Sequence, residues 1–531
     1  MQTTIKQAII AIVFGAVMVL AFSPFDLWPV SLICLGVLYT LLIIKPQKTG
    51  SLSLSQKTIT SHQATSKIRP CIALFFAHFR IVFVFGLGFF LVGLSWILVS
   101  LQLNGLNLPL SLAALLLFSI VCALFAAICL GFFSFFRSTL LKILGFACLW
   151  TIAEVLRGTL FTGFTWFDVG YIHANDFSPL SGFAPVVGVY GLSFITAFCA
   201  ASLAQWISSI HLTTFKQASV CLCVCPVILL VIGGFLRFVE FTKPDGLPVR
   251  VSVIQGNVGM DEKWGPFAFY KNVHLYWKMT LKSRGQLILW PETGIPGFYD
   301  IVTPTFMEKM KSHLQNQNRA LITGIATREV DYKTKANYRA FNSLLAVDGD
   351  DVQFYHKFHL VPFGEYVPKS LKWFVDVVIP MSDFTSADDI HQSPRTIHLL
   401  GLDIAPTICY ENVFGEEMIE GVRQANMIIN VTNLAWFGEY LALEQHFQIS
   451  RMRALEFAKP MITATNTGVT GFIQPDGKVV DRLPNNEVGI LEITVQGYRG
   501  DTLYARWGNL PVIMMCLFVI LLAFWRQMRV K

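Results

Sequence analysis

Two regimes of hydrophobic patterning divide the chain. Apolar runs with few charges recur near 7–23, 27–44, 81–101, 109–133, 141–157, 187–207 and 218–236, and an eighth closes the chain near 509–525. Runs of this length predict membrane-spanning helices, the first two and the last lying near the lower limit of about 17 residues. Between 238 and 508 the apolar runs shorten and become rich in Val, Ile and Thr. Strands are predicted at 248–255, 286–290, 320–326, 341–347, 352–357, 403–408, 427–431, 461–465, 470–473, 478–482 and 488–494. Helices are predicted at 264–284, 303–317, 414–424 and 440–457. Asp348-Gly349-Asp350 and Pro475-Asp476-Gly477 read as hairpin turns. Hairpins mixed with crossovers predict an α/β domain.

Composition sharpens the division. The chain has 531 residues, 54% hydrophobic and only 14% charged, which excludes a disordered or fibrous chain and a fully soluble one. Of its 34 acidic residues, only Asp26, Glu154, Asp168, Asp176 and Glu240 precede residue 244. The predicted organisation is a membrane domain at 1–240, the α/β domain at 241–508 and a final span with its tail at 509–531. Segment 46–69, rich in Ser, Thr, Gln and Lys, reads as a flexible loop. Pro24 after Ser23, no Ala-x-Ala site and a second span close behind favour an uncleaved anchor over a secretory signal.

Basic residues set the orientation. Lys6, the Lys45 to Arg80 group, Arg137 with Lys142, Lys216, and Arg526, Arg529 and Lys531 fall in alternate connections. The loops near 25 and 102–108 have neither Lys nor Arg. Both termini are therefore expected in the cytoplasm, with 238–508 on the far side, the periplasm of a two-membrane bacterium. A net charge of +7 without a long basic run predicts no nucleic-acid partner. Glu154 and Arg157, three apart at the end of the fifth span, share a helix face. They read either as a structural ion pair or as groups near a lipid-facing mouth of the site.

Ten of the eleven cysteines lie in or beside apolar segments, and only Cys409 is in the soluble part. No disulfide framework or paired-Cys zinc spacing is present, and Cys221, Cys223 and Cys225 read as packing residues.

Three segments carry candidate chemistry, each where a strand pattern ends. Gln286 to Trp290 runs into Pro291 and Glu292, where a carboxylate beside an apolar ring has the setting of a general base. The stretch Tyr355 to Pro368 places Lys357 at a strand end, where an ammonium can hold a developing oxyanion, and Glu365 eight residues on. His356 and His359 flank it without ligand spacing, so no metal is expected. Leu402 to Glu411 delivers Cys409 to a strand-to-helix elbow, followed by Tyr410 and Glu411. Singly, each admits a plain reading: a solvated turn glutamate, a surface-paired lysine, a buried small cysteine. Together they supply a thiol with a base and a cation to activate it.

Trp290-Pro291-Glu292, Lys357-x-His359-Leu-Val-Pro-Phe-Gly-Glu365 and Ile408-Cys409-Tyr410-Glu411 resemble the nitrilase, or carbon–nitrogen hydrolase, superfamily. With eight predicted spans, the chain resembles its membrane-embedded branch, the apolipoprotein N-acyltransferase family. Gln255-Gly256-Asn257 with Lys263-Trp264, Trp436-Phe437-Gly438 and Arg451-Met-Arg453-Ala-Leu-Glu456 extend the match. One departure is clear: the family's Thr-Asn-Asp is here Thr432-Asn433-Leu434.

The resemblance implies an α-β-β-α sandwich inserted between the seventh and eighth spans. It implies Glu292 as general base, Lys357 as transition-state stabiliser and Cys409 as nucleophile. Glu365, Tyr410 and Glu411 would support them, and Trp264, Trp436 and Phe437 would contact substrate. The implied reaction is ping-pong acyl transfer from a phospholipid, phosphatidylethanolamine by expectation, to the α-amine of an apolipoprotein's N-terminal diacylglyceryl-cysteine. No cofactor is implied, and a monomer in a bacterial inner membrane is expected. A membrane-tethered amidase or nitrilase with the same triad, and a transporter or receptor with a non-catalytic domain, are the competing readings.

Overall fold

A computed structural model describes residues 2–44, 63–103, 105–210, 217–259, 262, 267–302, 304–330, 338–362, 364–367, 384–389, 393–438 and 441–529. Among the described residues thirteen strands form two sheets. The first contains β1 (Lys243–Gln255), β2 (Leu287–Leu289), β3 (Ile295–Phe298), β4 (Ala320–Val330), β5 (Tyr338–Asp348), β6 (Asp351–His356) and β13 (Gly489–Arg499). Its order is β13-β1-β2-β4-β5-β6, with β3 beside β4. The second contains β7 (Ile397–Leu399), β8 (Leu402–Ile408), β9 (Met427–Thr432), β10 (Met461–Thr465), β11 (Gly471–Ile473) and β12 (Val479–Arg482), in the order β12-β11-β10-β9-β8-β7.

The alternation of side chains along a strand builds the layers. Leu287 and Leu289 of β2 join Ile404, Ile429 and Ile462 of the second sheet in one core between the sheets. Ile288 and Trp290 face the other way, onto Tyr276, Met279 and Met310 of helices Ala268–Lys282 and Pro304–Asn316. Helices Gly415–Gln424 and Leu441–Phe457 cover the outer face of the second sheet through Met418, Val422, Leu443 and Phe447. The result is the expected α-β-β-α sandwich. Every strand and helix predicted in this part is present. Two short strands, β3 and β7, escape the pattern; β3 is only Ile-Pro-Gly-Phe, and β7 spans three residues.

Among the described residues five helices are long and apolar enough to cross a membrane: Ile72–Gly93, Leu108–Phe135, Thr139–Thr162, Pro179–Ser209 and Leu510–Arg529. Three shorter apolar helices, Ile5–Ala21, Pro29–Ile43 and Leu222–Leu236, match the remaining predicted runs. The run at 81–101 needs correction. It is not one span: helix Gln63–Gly93 ends there and a short helix, Trp96–Leu103, follows a turn. At Gly93 a Cβ would stand 2.8 Å from the Phe167 ring, so the helix ends where a glycine admits that ring. Residues 63–69, read from sequence as loop, belong to this helix, and 46–62 lie outside the described residues.

Glu154 and Arg157 do not form the ion pair their spacing suggested. Arg157 pairs with Asp168 at 2.6 Å, both buried, and donates to the Phe164 carbonyl at 2.9 Å. Glu154 instead accepts from the Trp150 indole at 2.7 Å and the Val169 N–H at 2.9 Å.

One helix seats the sandwich on the apolar helices. Leu441–Phe457 turns Leu443, Phe447 and Ala454 to the second sheet and Ile449 and Met452 to the core formed by the apolar helices. Gln445 accepts from the Trp166 indole at 2.9 Å, Gln448 donates to Asp26 at 3.2 Å, and Glu456 accepts from the Val189 N–H at 2.8 Å. Burial on nearly every side explains why this helix shows no polar face in the sequence.

Candidate active site

The three sequence-predicted catalytic residues lie just beyond three strand ends. Glu292 follows β2 after Trp290 and Pro291, Lys357 follows β6, and Cys409 follows β8 of the facing sheet. Lys357, 1% exposed, is the hub. Its Nζ lies 3.9 Å from Glu292 Oε1 and 2.9 Å from Glu365. Asn342 Nδ2 donates to Glu292 Oε1 at 2.8 Å and to Glu365 Oε1 at 2.7 Å, so one amide spaces both carboxylates around the ammonium. The Asn433 N–H holds Glu292 Oε2 at 3.0 Å, and the Val361 N–H holds Glu365 Oε2 at 2.8 Å. Burial alone would discharge Lys357, but Glu365 and Glu292 outweigh it and hold its pKa above the ordinary lysine value.

Cys409 sits in the left-handed region at φ 51°, rare for a non-glycine residue, and Thr293 beside Glu292 does so at φ 54°. Both are sharp exits from strands, which turn the neighbouring side chain out of the sheet. Cys409 is partly accessible, yet the surrounding protein replaces most of its water. That burial, with Glu292 adding to it, pushes the thiol up to about 12 despite the opposing pull of Lys357 and the Thr432 hydroxyl. Cys409 is therefore held as a thiol, and to act as a nucleophile it would have to lose its proton as the new bond forms. Iodoacetamide labelling of Cys409 is therefore expected to rise with pH through pH 9 without levelling; a plateau near pH 8.5 would contradict this environment.

Glu411 braces the site. Its Oε1 accepts from the Phe358 N–H at 2.6 Å and the His359 N–H at 3.3 Å, just past Lys357, and its Oε2 accepts from the Ile408 N–H at 2.6 Å, just before Cys409. The Tyr355 hydroxyl donates to both oxygens at 3.1 Å. One carboxylate thus ties the lysine loop to the cysteine loop. Burial pushes it up to about 7 against Lys357 and the three backbone donors. Glu411→Gln would turn an amide N–H toward a backbone N–H in either orientation. The expected cost is about 1–3 kcal/mol, read as a lower melting temperature together with slower alkylation of Cys409. Unchanged values for both would refute the brace.

The apolar helices reach the site directly. The Tyr410 hydroxyl donates to the Gly163 carbonyl at 3.5 Å, and the Phe437 ring lies 4.7 Å from Trp96. At Gly438, φ 67°, a Cβ would stand 2.7 Å from Val99, so only glycine allows the approach. Trp436, beside Phe437, is 41% exposed. Trp264 lies outside the described residues. His356 Nδ1 bonds to Ser343 at 2.7 Å and His359 Nδ1 to Glu417 at 3.1 Å. Among the described residues no group of three or more His, Cys, Asp or Glu side chains is placed to hold a metal.

Sequence reasoning missed Asn342, Asn430, Thr432 and His446. A signal existed for two of them: Asn342 and Asn430 interrupt apolar strands at Phe-Asn-Ser-Leu and Ile-Ile-Asn-Val, where a buried amide needs a partner.

The pattern of the family described as Carbon-nitrogen hydrolase matches residues 250–502, and that described as Apolipoprotein N-acyltransferase N-terminal domain matches residues 73–202. The apolipoprotein N-acyltransferase of Nitrosomonas europaea is 41% identical over 68% of this chain and 70% of its own length. The protein of that name from Ralstonia nicotianae is 38% identical over 72% of this chain and 71% of its own. The one from Coxiella burnetii is 35% identical over 74% and 80%. With a carbon–nitrogen hydrolase sandwich seated on apolar helices and relatives of this similarity, the chain belongs to the apolipoprotein N-acyltransferase family.

Proposed function

We propose that this enzyme moves an acyl chain from a phospholipid, phosphatidylethanolamine foremost, to the α-amine of an apolipoprotein's N-terminal diacylglyceryl-cysteine. The observation that carries the reading is the Lys357 ammonium buried between Glu292 and Glu365, beside a cysteine elbow whose Tyr410 reaches the Gly163 carbonyl, while the nearby Phe437 ring meets Trp96. Cys409 Sγ attacks the ester carbonyl carbon while Glu292 takes the thiol proton. Lys357 and the backbone N–H after Cys409 meet the oxyanion. The tetrahedral intermediate collapses, Glu292 returns the proton to the departing glycerol oxygen, and a thioester and a lysophospholipid result. The α-amine then attacks the thioester, gives its proton to Glu292, and the amide forms as Cys409 leaves and is reprotonated. Glu365, Tyr410 and Glu411 support Lys357 and the elbow, and Trp436 and Phe437 contact the substrates. An apolar surround suits a thioester that must outlast water.

In this reading residues 1–240 and 509–531 lie in and beside an inner membrane, crossed eight times, with both termini cytoplasmic. Residues 241–508 face the periplasm, and the unit is a monomer. The test supplies purified protein with phosphatidylethanolamine and a diacylglyceryl-cysteine peptide. N-acylated peptide and lysophospholipid in equal amounts are expected; free fatty acid without acylated peptide would make it a hydrolase.

A further inference from the structure

The strained backbone of the nucleophile is held from two sides. At φ 51° the Cys409 Cβ crowds its own carbonyl, so the peptide plane needs outside support. Asn430 Nδ2 donates to the Cys409 carbonyl at 3.1 Å and His446 Nε2 at 3.3 Å. A carbonyl only accepts, so Nε2 carries the hydrogen. In a trans peptide the carbonyl and the next N–H point in opposite directions. Gripping this carbonyl therefore aims the Tyr410 N–H away from Asn430 and His446.

Both donors are themselves fixed. Asn430 Nδ2 also donates to Thr407 Oγ1 at 2.9 Å. His446, 3% exposed, lies on the helix that seats the sandwich, its ring 6.0 Å from that of Trp166. Burial pushes the imidazole down to about 4, so it is neutral at physiological pH. One turn on, Ser450 accepts from Asn412 Nδ2 at 2.8 Å and donates to the His446 carbonyl at 3.2 Å. The Cys409–Val413 turn is thus pinned to two successive turns of one helix, and Trp166, whose carbonyl accepts from Arg157, comes from the connection between two apolar helices.

We propose that His446 is a positioning residue: by holding the Cys409 carbonyl it fixes the direction of the backbone N–H that meets the oxyanion. The inference rests on the acyl-enzyme reading above. The full-length protein would be mixed with phosphatidylethanolamine, and the rate of acyl-enzyme formation, the KM for lipid and the melting temperature measured. His446→Leu removes the donor; His446→Gln places an amide N–H near the position of Nε2; His446→Asn carries the same amide one bond short. Leu and Asn are expected to slow acyl-enzyme formation by roughly 10–100-fold at unchanged KM, with Gln within about 5-fold of wild type. Should Leu not fold, the Gln and Asn pair decides. Equal rates for Gln and Asn, or a wild-type rate for Leu, would overturn the proposal. Wild type that forms no acyl-enzyme would instead sink the reading beneath it.

Discussion

Lys357→Met is expected to lower acyl transfer by about 10³-fold or more and to destabilise the protein in the same step. The first effect follows from chemistry: one preorganised oxyanion donor is worth about 10²–10³ in rate, and Lys357 also helps the thiol ionise. The second follows from burial. Lys357 stands 3.9 Å from Glu292 and 2.9 Å from Glu365, and its loss leaves two carboxylates facing each other in a water-poor site. Breaking a buried pair costs about 3–5 kcal/mol. Asn342 touches both carboxylates but is neutral and cannot replace the charge. The double variant Lys357→Met, Glu365→Gln should regain part of the stability and none of the activity. Turnover within tenfold of wild type for Lys357→Met would contradict the role given to the ammonium.

Glu292→Gln is expected to lower acyl-enzyme formation by about 10²–10⁴-fold while leaving the fold intact. The substitution keeps the volume and an oxygen for one of the two donors, the Asn433 N–H or the Asn342 amide, while its own N–H meets the other at about 1–3 kcal/mol, which lowers the melting temperature without unfolding the chain. It removes the group proposed to take the Cys409 proton, and a thiol still held up by burial supplies very little thiolate unaided. The residual rate should therefore climb with pH, each unit adding close to tenfold, while the wild-type rate stays flatter. A Glu292→Gln rate independent of pH would mean that another group takes the proton.

Much of this was readable in the sequence for a physical reason. Strands buried on both faces run as largely apolar segments, and Glu292 and Cys409 follow where two such runs, β2 and β8, stop; Lys357 instead follows β6, a half-exposed edge strand of mixed composition. The helix at 441–457 was found by its length, but its docking role was hidden, because a helix buried on both sides has no polar face to betray it. The extent of the third apolar helix was misread because hydropathy does not register a break at Gly93 that a distant Phe167 ring exploits. The partners of the triad were illegible for a related reason. Asn342 touches Glu292 across 50 positions and His446 reaches Cys409 across 37, and no local pattern records such contacts. Leu434, the one departure from the family motif, is 1% exposed and packs with Leu443 and Phe447 outside the second sheet.

The most direct test is the intact mass of the purified chain after incubation with phosphatidylethanolamine, for wild type beside Cys409→Ala, with and without hydroxylamine. A mass increase of one acyl chain, present on wild type, absent from Cys409→Ala and removed by hydroxylamine, is the expected result. No adduct across several phospholipids, with Cys409 demonstrably reduced, would contradict phospholipid acyl transfer through this cysteine.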